Sequence, residues 1–129
     1  MAWETEQKKL EETILTRGVA AVLADPLKGF YLVAEVRAEV VGQLMITTEW
    51  SDWRNAWFWW IQSVYVRPEH RQQGVFRALF GEAERLALEQ GDVIGLRLYV
   101  ETHNTAARET YRRLGMFDAA YGVFEKSPL

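Results

Sequence analysis

The stretch Val64-Tyr65-Val66-Arg67-Pro68-Glu69-His70-Arg71-Gln72-Gln73-Gly74-Val75-Phe76-Arg77-Ala78-Leu79 joins a β-rich run to a helical pattern through a short polar loop, with one glycine at the junction. The first N–H groups of a helix lack intrahelical acceptors and carry partial positive charge, so such a junction can hold a phosphate. Gly74 would let a ligand approach the main chain closely, and Arg71 and Arg77 would add fixed cationic donors. The same pattern also occurs in an ordinary strand-to-helix connection, and spacing alone leaves both readings open.

Several elements must position this junction. From about Glu4 to Ala24, Leu10, Ile14, Ala21 and Val22 fall mostly on one helical stripe that Asp25-Pro26 ends. Phe30 to Val36 and Val40 to Thr48 are β-rich and separated by Arg37-Ala38-Glu39, which predicts an antiparallel hairpin. Turn residues Ser51-Asp52 and Arg54-Asn55 precede a long strand from Trp57 to Val66, which Pro68 closes. Phe76, Leu79, Phe80, Ala83, Leu86 and Ala87 then recur at helical spacing up to Gly91. Val93 to Val100 reads as the next strand, Asn104 caps a helix to about Leu114, and Gly115 ends it. Met116 to Phe124 is expected to supply one or two closing strands. The order predicts an α/β (α+β) fold: a mixed sheet with helices on its faces.

The chain has 129 residues, 49% hydrophobic and 26% charged, which fits a single domain over 1–129. Six Trp, five Tyr and six Phe supply both a core and a pocket lining. The lack of Cys excludes disulfides and thiol nucleophiles and fits a reducing compartment. With two His and no Cys, no metal is expected. A net charge of −3 argues against nucleic acid as partner. No stretch approaches the roughly 20 apolar residues of a membrane span, so a soluble, cytoplasmic protein is expected, without a membrane partner.

Two segments together resemble the signatures of the GNAT superfamily of acetyl-CoA-dependent N-acetyltransferases. The first is Val66-Arg67-Pro68 followed by Arg71-Gln72-Gln73-Gly74-Val75-Phe76. The second is Asn104-Thr105-Ala106-Ala107-Arg108-Glu109-Thr110-Tyr111 with Leu114-Gly115-Met116-Phe117. The match spans roughly Phe30 to Phe124 and implies a mostly antiparallel central sheet, acetyl-CoA as acyl donor and an amine as acceptor. It further implies that backbone groups of Val64 and Val66 run along the pantetheine arm, and that amides from Gln72 through Gln73, Gly74, Val75 and Phe76 to Arg77 hold the pyrophosphate. Asn104 would face the thioester end, and Tyr111 would be the catalytic residue beside the sulfur. A tyrosine hydroxyl, of ordinary pKa about 10, stays protonated at neutral pH and can give its proton to a leaving thiolate. The Val64 amide would stabilise the oxyanion.

The sequence departs from the pattern at Phe76, where Gly or Ala is usual; the bulky side chain fits there if it points away from the pyrophosphate and into the helix–sheet core, and otherwise it weakens or reorients cofactor binding. The family's N-terminal first strand is missing from the pattern, which leaves a sheet edge for another chain, as in a homodimer, or for the N-terminal residues to cover. A non-catalytic acyl-CoA-binding module is the alternative function. Glu49, Glu101 and His103 are candidate bases, each equally readable as a surface or capping residue, and none is assigned. Trp50 and Trp53, with Glu49 and Asp52, would form an acidic aromatic rim for a cationic amine, against the plainer reading of packing or a dimer contact.

Overall fold

The computed structural model describes residues 12–129. The chain divides into two compact units, one ending at Tyr99 and one from Val100 to Leu129. The first holds α1 (Glu12–Ala24), β1 (Phe30–Val36), β2 (Glu39–Ser51), β3 (Ala56–Val66), a 3-10 turn (Pro68–His70), α2 (Val75–Gln90) and β4 (Val93–Leu98). The second holds α3 (Thr105–Arg113) and the segment that follows it. The part of the expected first helix from Glu4 to Glu11 lies outside the described residues, and among the described residues no strand precedes β1.

The strands lie in the order β1-β2-β3-β4. The first two junctions are antiparallel and the third is parallel. This is the mixed, mostly antiparallel sheet that the sequence predicts. The β1–β2 hairpin closes through Arg37 and Ala38, both at positive φ (52 and 66), a two-residue turn whose twist matches that of the strands. Alternation assigns the two faces of the sheet. Gly42, Leu44 and Ile46 share one face, and Ile61 stands opposite Ile46 on it. Helix α2 packs across this face with Leu79, Phe80, Ala83 and Ala87 buried. Leu44 and Ile46 are fully buried, each contributing about 1.5–3 kcal/mol of transfer free energy.

Gly42 sets how closely α2 can approach. A Cβ there would stand 2.7 Å from Val75 Cγ1 and 3.4 Å from Leu79 Cδ1. The first turn of α2 therefore rests almost on the backbone of β2.

Two expectations fail at the C-terminal side. Strand β4 ends at Leu98 rather than Val100. Met116 to Phe124 forms no strand. Within it the Asp118 carboxylate accepts the Ala120 N–H at 2.8 Å, and Ala120 has φ 63, a turn that interrupts any extended run. No described helix is long and apolar enough to cross a membrane.

Candidate functional site

The parallel ladder between β3 and β4 runs from Trp57–Val93 to Ile61–Leu98 and stops there, while β3 continues to Val66. The two strands thus form a fork whose long arm carries Val64 and Val66. On the other side of this arm the β2–β3 register shifts between Gln43–Tyr65 and Met45–Gln62, and Ser63 has φ 52. This is a β-bulge, which bends a strand and re-aims its peptide groups. Val64, the residue expected to stabilise an oxyanion, directly follows that bend.

The loop after β3 folds back on the strand. Arg71 donates from Nε to the Val66 carbonyl at 2.8 Å, and its guanidinium lies 5.6 Å from the centre of the Tyr65 ring. Gln73 donates from Nε2 to the Glu69 carbonyl at 3.2 Å. These two side chains therefore brace the loop from within. Gln72 (φ 61) and Gly74 (φ 82) are left-handed on either side of Gln73, an alternation of the kind that turns successive amides toward one concavity. Gly74 caps α2 with no side-chain hydrogen bond, and among the described residues a Cβ there would meet nothing within 4 Å. An uncapped helix start with open space at its cap glycine fits a phosphate group approaching the main chain. Phe76 stands against Phe80, ring centroids 6.2 Å apart, and Phe80 is buried. Its ring is thus turned along the helix toward a core residue.

Asn104 and Tyr111 belong to the second unit. Asn104 Oδ1 accepts the Ala107 N–H at 3.1 Å, so the side chain caps α3. Tyr111 is half-buried, and burial raises its hydroxyl pKa above the ordinary 10.0. Its proton is therefore firmly held at neutral pH. The Glu101 carboxylate accepts the His103 N–H at 2.7 Å. Both residues are exposed, and this bond shapes the turn leading into α3.

Sequence neighbours around Glu49 part company in space. Trp50 pairs across the strands with Trp57, edge to face at 5.1 Å, on the α2 side of the sheet. Glu49 points to the opposite face and accepts from Trp60 Nε1 at 2.9 Å and from Arg97 Nη1 at 3.2 Å. Trp53 stands in the turn, 88% exposed. The expected rim of Trp50 and Trp53 around Glu49 does not form. Trp60, Arg97 and Tyr99 surround that carboxylate's face instead, and the signal that finds them is strand parity, Trp60 opposite Thr47 and alongside Arg97. Among the described residues, no group of three or more His, Asp or Glu is placed to hold a metal ion.

The profile described as Acetyltransferase (GNAT) family matches residues 1–116. None of the curated proteins matches the chain. Among solved structures, a possible acetyltransferase from Clostridium difficile 630 is 45% identical, with TM-score 0.91 over 99% of this chain and 84% of that one. AAC(6')-Iy, in complex with the bisubstrate analog CoA-S-monomethyl-acetylneamine, is 15% identical with TM-score 0.74, covering 100% of this chain and 88% of that one. An aminoglycoside acetyltransferase from an uncultured soil metagenomic sample, in complex with trehalose, is 15% identical with TM-score 0.77, covering 99% of this chain and 81% of that one. The family match over residues 1–116 and the 45% identity to a possible acetyltransferase show that the chain belongs to the GNAT family of acetyltransferases.

Proposed function

We propose that this chain is an N-acetyltransferase in which an amine bound beside acetyl-CoA attacks the thioester directly, within one GNAT domain that spans the chain. The fork carries this reading: β3 runs past its last pair with β4, bends at Ser63 and leads into a left-handed turn at an uncapped helix start. Backbone groups of Val64 and Val66 would run along the pantetheine arm, and amides from Gln72 to Arg77 would hold the pyrophosphate. The Arg71 side chain acts indirectly, by holding that turn closed on the strand, and the Gln73 side chain braces it within the loop. Acetyl-CoA supplies an activated acyl group whose leaving thiol has an ordinary pKa of roughly 8.5. Attack by the amine forms the C–N bond and an oxyanion, which the Val64 amide would stabilise. As the C–S bond breaks, the Tyr111 hydroxyl would give its proton to the sulfur. Asn104 would support the thioester end.

Titration calorimetry with acetyl-CoA, free coenzyme A and NAD tests the binding half: the first two should bind and NAD should not. Thiol release on addition of amines tests the chemistry. Binding without release would leave an acyl-CoA-binding module, and no binding would end the reading. A homodimer belongs to the same proposal, because among the described residues β1 is an outer strand of the sheet and exposes Val33 and Val36. Sedimentation of the purified chain reads that directly. The cytoplasm, a reducing compartment, suits a chain without cysteine.

A further inference from the structure

On the sheet face away from α2, beside the apex of the fork, three strands converge on one carboxylate. Glu49 comes from the end of β2, Trp60 from β3 and Arg97 from β4, and Tyr99 follows the last paired residue of β4. Trp60 Nε1 and Arg97 Nη1 both bond to Oε1 of Glu49. Among the described residues Oε2 takes no hydrogen bond.

Arg97 is spread over the Phe58 ring, 3.5 Å from its centroid, and its side chain is 23% exposed against 47% for Glu49. The ion pair therefore turns its negative end outward. Beside it the Trp60 and Tyr99 rings stack at 4.6 Å with an angle of 27°, and Tyr99 is 61% exposed. Arg54, a second cation near this face among the described residues, lies over Phe58 at 5.1 Å and bonds to Ser51, on the side of the β2–β3 turn.

A carboxylate held on one oxygen, next to a stacked aromatic pair whose Tyr99 is exposed, is a receptor for an ammonium group: the other oxygen accepts its N–H and the Tyr99 ring attracts its charge. We propose that Glu49, Trp60 and Tyr99 form a subsite for a second cationic amine of the acceptor, so that the enzyme selects diamines over monoamines. This rests on the acetyl-transfer reading, which puts the reacting nitrogen near Val64. From Trp60 to Val64 the strand advances at most roughly 13 Å at about 3.3 Å per residue, less for the bend at Ser63. An acceptor whose two nitrogens are joined by a flexible chain of several carbons spans that distance. Arg97 is a positioning residue in this scheme, fixing Oε1 so that Oε2 points outward.

The test compares α,ω-diaminooctane with octylamine, which share a body and differ by one terminal cation. Calorimetry on the full chain with free coenzyme A present should give about tenfold tighter binding for the diamine, the equivalent of one favourable cation contact. Glu49→Gln and, separately, Tyr99→Leu should erase that ratio while coenzyme A affinity and the octylamine value stay unchanged. In turnover assays the same variants should raise KM for the diamine and leave kcat within about twofold. Equal affinities for the two amines in the parent protein would overturn the proposal. A ratio that survives both substitutions would overturn it too. Failure to bind coenzyme A would instead count against the acetyl-transfer reading, and the diamine titration without coenzyme A would still report on the subsite itself.

Discussion

Arg71 reaches back 2.8 Å from its Nε to the carbonyl of Val66, closing the loop that joins the long arm of the fork to the start of α2. In the sequence Arg71 looks like a phosphate ligand. In the structure it holds the turn on which phosphate-binding amides would be displayed.

Arg71→Ala should therefore weaken acetyl-CoA binding by about tenfold, since a hydrogen bond from a charged donor contributes roughly 1.5–3 kcal/mol. Turnover at saturating acetyl-CoA should change little, because the reacting end is not touched. Arg71→Lys should not rescue affinity: an ammonium lacks the planar fork that bonds a carbonyl while lying over the Tyr65 ring. Calorimetry with the three proteins decides, and unchanged affinity in the alanine variant would remove Arg71 from the site.

Gly42→Ala should shift the helix that carries the turn. The new methyl would stand 2.7 Å from Val75 Cγ1, and a valine in a helix has little rotamer freedom with which to retreat. Overpacking of this kind costs about 1–3 kcal/mol, so the melting temperature should fall by several degrees and acetyl-CoA affinity should fall with it. The second substitution Val75→Ala removes the obstructing atom and should restore part of both. A double variant no better than the single would show that the two sites are not coupled through this contact.

What was legible in the sequence was local. The strand-to-helix turn at Gly74, the caps Asn104 and Gly115 and the parity of Trp57 and Trp59 against Phe58 and Trp60 depend on residues a few positions apart. Gly42 was not legible as a packing device, because its meaning lies in which helical side chain comes to rest on it. The rim assigned to Trp50 and Glu49 failed for a related reason: chain neighbours on a strand face opposite sides, and Trp50 follows Trp57 while Glu49 meets Trp60. The closing strands failed at Ala120, where one side-chain hydrogen bond from a backbone N–H favours a turn over an extended run.

Gly74→Ala separates backbone conformation from ligand contact. At φ 82 an alanine pays roughly 1–2 kcal/mol of left-handed strain, and among the described residues no atom lies within 4 Å of the new methyl to add a packing cost. Gly74→Asn should be milder, since asparagine tolerates this region. If the open space at Gly74 receives a pyrophosphate, both variants should lose more acetyl-CoA affinity than their melting temperatures account for. Affinity that merely follows stability would place the phosphate elsewhere.

Tyr111→Phe tests the proton donor, and pH sharpens the test. Burial raises the hydroxyl pKa above 10.0, so the folded protein favours the neutral phenol. A group raised on folding contributes stability that is complete below its unfolded pKa and is lost as pH rises through the folded one. Thermal stability should thus fall on going from about pH 9 to about pH 11 through this residue, and the phenylalanine variant should lose less over that interval. At neutral pH the same variant should turn over about a hundredfold more slowly, within the usual range for loss of a general acid, with acetyl-CoA affinity unchanged. An alkaline loss of stability identical in the two proteins would show that another group titrates there. A variant with unchanged turnover would pass the proton to a different donor, and loss of affinity equal to the loss of turnover would make Tyr111 a binding residue instead.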